Sequence, residues 1–460
     1  MTNNQRMPDR RRRGFVLLTL AASVIFGLSA LHVPRTTDVV SSDVAAWKIA
    51  TTGSPWLDDA HDDAALPDKW TTDYLFTTTN PDNGEKVIAR SAGPIIVAIP
   101  AYVVQRLLTG GDSADVVSFV PASLTAALLA VIALLLLAGS IPRSVPLPVT
   151  VAGAAALAFT TPYWTVVGAS LWPHTVTAVG IGGMAWAAHR ERWWLVGLFG
   201  GVAMVGRLHL ALTVAVLGLV VAFARRRPRI ALEVAATSVP AIGLLAVWGH
   251  WFYGSWSPTT GYAAGDLAAW PATRTWWQQL GDLAGVFVSP GYGVLVWTPV
   301  LLLVAPAFVR SWRTAPDWTR GLALGGLVYL LVQVYLNPYH GGNGFWGYRL
   351  PLEALCCAFP LIMVSLHRMG ARARAWLTPV LGYQLGTIAL GAALGLGLVQ
   401  RTASWGWRHY TIASAAQASV AVVLVMIVLG LVTAYVARGW LRESLAEAEP
   451  VEAPAPGRVA

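Results

Sequence analysis

Charge is what this chain has least of. Only 12% of its 460 residues are Asp, Glu, Lys or Arg, about half the share of an average soluble domain, which excludes a fully solvated globular protein. Cysteine is nearly missing as well. Cys356 and Cys357 are adjacent in an apolar segment, and that offers neither a disulfide framework nor metal-ligand spacing. No internal repeat is visible, so the inverted-repeat signature of secondary transporters is lacking. The apolar runs also lack the alternation that a membrane barrel requires, which leaves helices as the spanning element.

What is present is hydrophobic length. The mean hydropathy is +0.56, and residues 14–34, 116–142, 144–189, 234–265, 283–309, 321–348, 375–400 and 409–437 contain no charged side chain. A span takes about 20 apolar residues, so 144–189 holds two. With shorter segments near 93–108, 193–224 and 352–367, roughly 11 to 13 spans are expected. The fold class is therefore an all-α polytopic membrane protein. Residues 14–34 follow a run of arginines (10–13) as a signal peptide would. They are too long for a signal core and no small-x-small cleavage site follows, so they read as a retained first span.

The net charge of +9 is not a nucleic-acid signature. The bases gather at residues 10–13, 225–229, at Arg310, Arg313 and Arg320, and at 367–374, the short clusters that orient a membrane protein by the positive-inside rule. They place a basic N-terminus (1–13) in the cytoplasm, a transmembrane body over 14–440, and the long polar loop of about 34–92 outside. Residues 441–460, rich in Glu, Ala and Pro, read as a disordered tail. Usage of Ala, Val and Arg suggests a GC-rich bacterium, hence its plasma (inner) membrane.

The polar loop carries ten acids against five bases. Within it, Val40, Val44, Trp47 and Ile49 or Ala50 recur at helical spacing. This predicts an interfacial amphipathic helix over 39–52, ended by Gly53 and Pro55 and capped by Asp38 or by Ser41 and Ser42. Further polar interruptions near 160–174, 253–279, 289–293 and 337–349 are rich in Trp, Tyr, Gly and Pro, as loops at a membrane interface are. Their parity is inconsistent with 225–229 on the inside unless a segment near 93–108 or 283–294 is re-entrant.

The order of these loops resembles the GT-C superfamily, multispanning glycosyltransferases that use polyprenyl-phosphate-linked sugars, and within it the lineage of protein mannosyltransferases and lipid A aminoarabinose transferase. The likeness rests on Asp38-Val-Val-Ser-Ser-Asp43 running to Thr52-Gly53, on Arg90-Ser91-Ala92-Gly93-Pro94 and on Leu171-Trp172-Pro173-His174. It continues in Tyr253-Gly254-Ser255 with Gly261-Tyr262, in Ser289-Pro290-Gly291-Tyr292-Gly293, and in Gly341-Gly342 with Trp346-Gly347-Tyr348-Arg349. Ser91-Ala92 stands where many relatives have two prolines.

The resemblance implies inverting transfer from a lipid phosphate, with an Asp of the first external loop as base and cations that stabilise the departing phosphate. Asp38 and Asp43 both compete for the base. Asp38 has the better spacing to Gly53, but a helix cap explains it equally; a solvated face explains Asp43. Arg349 closes the charge-free run 321–348, where a cation is costly unless it faces a cavity, and a guanidinium grips phosphate bidentately. Snorkelling to headgroups is the plain alternative. Arg207 either sits deep beside His209 or marks a cytoplasmic turn. Arg90 is a third phosphate candidate or a partner of Glu85, and His174 a fourth or a satisfied interface residue. Tyr262, Trp346 and Tyr348 could stack on sugar or polyprenyl, or serve as belt anchors. Asp58, Asp59, Asp62 and Asp63 read as a solvated run rather than a metal site. No cofactor is assigned, and a divalent cation stays open because superfamily members differ on it. The implied partners are a polyprenyl-phosphate sugar, a glycan or lipid-linked acceptor and membrane lipids, with no nucleic acid. A transporter or flippase of lipid-linked glycans is the competing reading.

Overall fold

A computed structural model describes residues 6–32, 35–67, 70–110, 116–259, 261, 271–342, 344–394 and 411–446. Tyr262 and residues 447–460 of the expected tail lie outside the described residues. The described residues are predominantly helical. Its elements are α1 (Arg6–His32), α2 (Thr37–Thr52), α3 (Asp59–Ala65), a hairpin of β1 (Thr77–Thr79) and β2 (Lys86–Ile88), α4 (Ala92–Thr109), α5 (Val120–Gly139), α6 (Leu147–Thr160), α7 (Pro173–His189) and α8 (Trp193–Gly206). There follow α9 (Ala211–Arg225), α10 (Pro228–Tyr253), α11 (Trp276–Val288), α12 (Val300–Ser311), α13 (Asp317–Leu336), α14 (Leu352–Ser365), α15 (Ala371–Leu394) and α16 (Thr411–Ala446). Eight described helices are long and apolar enough to cross a membrane, and α6, α8 and α12 are shorter apolar helices. The protein is an integral membrane protein.

Polar contacts sort the helix ends into two sets. Arg225, at the end of α9, pairs with Asp317 at the start of α13 (2.6 Å) and with Glu191 just after α7 (3.0 Å). Arg190 reaches the carbonyl of Gly139 at the end of α5. Arg310 and Arg368 exchange side chain-to-carbonyl bonds that tie the end of α12 to the end of α14. The basic clusters thus meet at one end of the bundle. The starts of α2, α4, α7 and α14 and the ends of α8, α10 and α13 meet at the other.

The parity problem is solved by α4, which hydropathy alone would count as a span. Its start is held where the Tyr253 hydroxyl donates to the Arg90 carbonyl (2.7 Å). Its end is held where Arg106 donates to the carbonyl of Thr51, the penultimate residue of α2 (2.6 Å). Shortly beyond, the Val117 amide bonds the carbonyl of Ala65 in α3. Both ends of α4 therefore belong to the polar loop, and α4 lies along α2 without passing through the bundle. Val40, Val44, Trp47, Leu57, Leu66, Val87, Ile88, Ile95 and Tyr102 form a core of their own between these elements.

α2 begins two residues earlier than the spacing predicts and is N-capped by Thr36, with no side-chain cap bond. Asp38 sits in its first turn, where the helix dipole favours an anion. Gly53 ends it in the left-handed conformation (φ 73°). The acids around α3 are tethers more than a solvated run. Asp62 is fully buried against Lys48 at 2.6 Å, Asp63 accepts the Thr72 amide, and Asp59 pairs with Lys86.

Candidate active site

A cavity of about 440 Å³ opens where the loop subdomain meets the bundle. It is lined by Asp38 and Ser42 of α2, by Arg90 and Ser91 ahead of α4, and by Trp172, Arg207, His209, Gln333, Asn337 and Arg349 among others. A smaller apolar cavity of about 110 Å³ between α6, α12, α14 and α15 is lined by no titratable side chain.

Close backbone packing makes the polar cavity. A Cβ on Gly93 would stand 2.8 Å from the Cα of Gly206 and 2.8 Å from the carbonyl of Val205. The missing side chain of Gly93 lets the start of α4 approach the end of α8 this closely, while that of Gly206 makes room for Pro173 and Thr177 of α7, and the contact puts Arg90 and Arg207 in one wall. Arg207 lies at the break between α8 and the single turn Leu208–Leu210. It marks a turn, as one sequence alternative has it, but at the cavity end and not among the basic clusters. Arg349 arrives from a glycine-rich loop, where a Cβ on Gly342 (φ 96°) would meet its Nη2 at 2.9 Å.

Asp38 is the centre of the charges. Its Oδ1 lies 2.5 Å from Arg90 Nη2 and its Oδ2 lies 3.4 Å from Arg349 Nη1. The Phe76 ring centre lies 3.6 Å from the Arg90 guanidinium, and those of Trp172 and Phe345 lie 5.1 Å from that of Arg349, cation–π contacts that help to hold each guanidinium in place. The cavity wall thus carries three guanidiniums against one carboxylate, an excess of positive charge that favours an anion.

The other candidates fall elsewhere. Asp43 is fully buried in the loop subdomain, and among the described residues neither carboxylate oxygen has a hydrogen-bond partner. Burial raises its pKa well above the usual carboxylate range, with Arg35 opposing. His174 is buried behind Arg207 and does not line the cavity. Trp346 donates to the Thr387 carbonyl and packs on Gly391 of α15, and Tyr348 bonds Thr298; both are buried in the bundle core. Among the described residues no group of three or more His, Cys, Asp or Glu could hold a metal ion.

Sequence reasoning missed Glu353, whose Oε1 lies 2.7 Å from His174 Nδ1. It is the sole acid between Asp317 and Glu443, a signal of the kind that marked Arg349.

No family model and no curated protein matches this chain. Among solved structures, the crystal structure of ArnT from Cupriavidus metallidurans bound to undecaprenyl phosphate superposes with a TM-score of 0.56 at 16% identity, over 94% of this chain and 73% of that one. The two share a fold. The all-α polytopic architecture expected from the sequence is thus the architecture observed, and that crystal structure shares it.

Proposed function

We propose that the chain is a membrane glycosyltransferase that moves a sugar, with inversion, from a polyprenyl-phosphate donor to a hydroxyl of an extracytoplasmic glycan or lipid-linked acceptor. The observation that carries this reading is the cavity: one carboxylate between two guanidiniums with a third guanidinium in the lining, in a fold shared with a structure that holds undecaprenyl phosphate. The basic clusters at the far end of the bundle support a cytoplasmic position for that end under the positive-inside rule. The cavity then opens on the outer side of a bacterial plasma membrane.

The donor phosphate takes the place of the Asp38 carboxylate on Arg90 and Arg349, with Arg207 as a third contact. Asp38, released from its partners, accepts the proton of the acceptor hydroxyl. That oxygen attacks the anomeric carbon from the face opposite the phosphate, and the carbon–oxygen bond to phosphate breaks. The electron pair leaves with polyprenyl phosphate, whose growing charge the guanidiniums stabilise in a site of low dielectric. A positioned base contributes about 10²–10⁴-fold to such a step.

The test uses purified protein, a radiolabelled polyprenyl-phosphate sugar and a membrane acceptor fraction. Asp38→Asn lowers transfer by about a hundredfold or more, while Asp43→Asn retains it. Full activity in Asp38→Asn sinks the assignment of the base. Translocation of lipid-linked glycan across vesicles without any sugar transfer establishes the transporter reading instead.

A further inference from the structure

Three side chains form a relay behind the cavity wall. Glu353, in the first turn of α14, is 2% exposed. Its Oε1 lies 2.7 Å from His174 Nδ1 and accepts the Thr177 hydroxyl at 3.1 Å. On the far side of the same imidazole, Nε2 lies 3.0 Å from Arg207 Nη2, and Arg207 Nε stands 3.8 Å from Glu353 Oε1. Of the three, Arg207 alone lines the cavity.

Donor and acceptor chemistry leaves one self-consistent tautomer of His174, and the Arg207 guanidinium 3.8 Å from Glu353 Oε1 favours the ionised carboxylate. A guanidinium has N–H groups and no acceptor, so the Nε2 facing it must be bare. A neutral imidazole with bare Nε2 carries its proton on Nδ1 and donates it to Glu353 Oε1. A doubly protonated His174 would aim an N–H at an N–H of Arg207. A protonated Glu353 donating to Nδ1 would force the imidazole proton onto Nε2, with the same clash. The carboxylate therefore sets the tautomer, and the tautomer sets the seat of the guanidinium, as carboxylates do behind metal-binding histidines.

The relay differs from the Asp38 clamp in one respect. Asp38 stands in the cavity, where an entering anion can displace it. Glu353 stands behind the wall, out of a ligand's reach, and its second oxygen has no hydrogen-bond partner among the described residues. A contact that served only to join α7 to α14 would be met by a neutral pair, since a buried charge is costly. The charge is accounted for as the permanent counterion of Arg207.

We propose that Glu353 is a positioning residue for the donor phosphate: through neutral His174 it fixes the Arg207 guanidinium in the orientation that meets the phosphate in the cavity. This rests on the glycosyltransferase reading above. The experiment is a double-mutant cycle on binding of sugar-free undecaprenyl phosphate to the full chain in phosphatidylcholine nanodiscs. Glu353→Gln weakens binding about tenfold, the scale of a perturbed charge-assisted contact. In the His174→Gln background, where the imidazole bridge is gone and only the 3.8 Å approach of Arg207 Nε to Glu353 Oε1 remains, the same change costs less than about twofold. In transfer assays kcat/KM for the donor falls, with a rise in the KM for donor, while the KM for acceptor stays unchanged.

An unchanged affinity in Glu353→Gln, an equal loss in both backgrounds, or a loss confined to kcat overturns the proposal. Should Glu353→Gln fail to fold, the nitrogen-15 resonances of His174, assigned by their disappearance in His174→Gln, decide it: protonation on Nδ1 alone supports the relay, and any other state overturns it. If the wild type binds no undecaprenyl phosphate, the glycosyltransferase reading falls together with this one. If it binds and the cycle is additive, this one falls alone.

Discussion

Arg349 and Asp38 are 311 positions apart in sequence and meet with Nη1 3.4 Å from Oδ2. Arg90 closes on the other oxygen of the same carboxylate. The first turn of α2, the lead-in to α4 and the glycine-rich loop before α14 must all be in place before the clamp exists. It therefore reports on the docking of the loop subdomain as well as on chemistry.

Replacing Arg349 by Lys tests the geometry of that clamp. Lysine keeps the charge and loses the planar fork and the guanidinium contacts with Trp172 and Phe345. The expected result is a fall of about ten- to a hundredfold in kcat/KM for the donor, carried mainly by KM and measured by donor titration of sugar transfer. An unchanged donor KM would remove Arg349 from the phosphate site.

Asp43 gives a pH dependence of stability whose sign is fixed by its burial. Its folded pKa is raised, so the folded state holds the proton more tightly than the unfolded state does. Stability is greatest below the ordinary carboxylate value of about 3.9, and it declines as pH rises from there towards the raised folded value. Asp43→Asn removes this decline. Apparent melting temperatures at matched scan rates rise in the variant at neutral pH and converge with wild type in acid. A lower melting temperature at neutral pH would show that the ionised carboxylate is stabilising after all.

The Lys48–Asp62 pair is buried on both sides, at 6% and 0% side-chain exposure. Lys48→Met leaves the Asp62 carboxylate in the loop core without its counterion, a cost of about 3–5 kcal/mol. Limited proteolysis then cuts the loop between α2 and α4 before the bundle opens. The double change Lys48→Met with Asp62→Leu recovers most of the protection, because it removes the stranded charge too.

Gly93→Ala drives a methyl group into backbone atoms of Val205 and Gly206. Overpacking of this kind costs about 1–3 kcal/mol, and it moves Arg90 away from Arg207. Undecaprenyl phosphate binding weakens accordingly in a nanodisc assay. Gly27→Ala in α1, where a Cβ meets nothing within 4 Å, is the control that leaves binding intact.

The charged residues around the cavity were legible because charge is rare in this chain. Arg349 closes a long apolar run and Arg207 interrupts another, and each is too costly to be left without a purpose. Glu353 obeys the same rule, but it stands so near Arg349 in sequence that its true partner, His174, is hidden; only the meeting of α7 with α14 reveals it. Trp346 and Tyr348 show the limit from the other side. An aromatic residue in a glycine-rich loop suits a ligand face or a helix core equally, and the deciding neighbours, Gly391 and Thr298, belong to other segments. The count of crossings was obscured by α4, whose composition is that of a span. What keeps it from being one is the hydrogen bond from Arg106 to the end of α2, a contact no hydropathy window contains.

The clamp on Asp38 also bears on the crowd outside the door. A membrane presents phosphodiester headgroups far in excess of any polyprenyl-linked sugar, and three uncovered guanidiniums would collect them. With a carboxylate of the protein's own already seated on two of the three, an intruder must give up its hydration and evict a resident that never diffuses away. Ordinary headgroups offer little beyond what Asp38 supplies. If the proposed function holds, a ligand with further contacts along its sugar or its chain has the surplus needed, and the resting pair would then act as a threshold that favours the rare lipid over the common one.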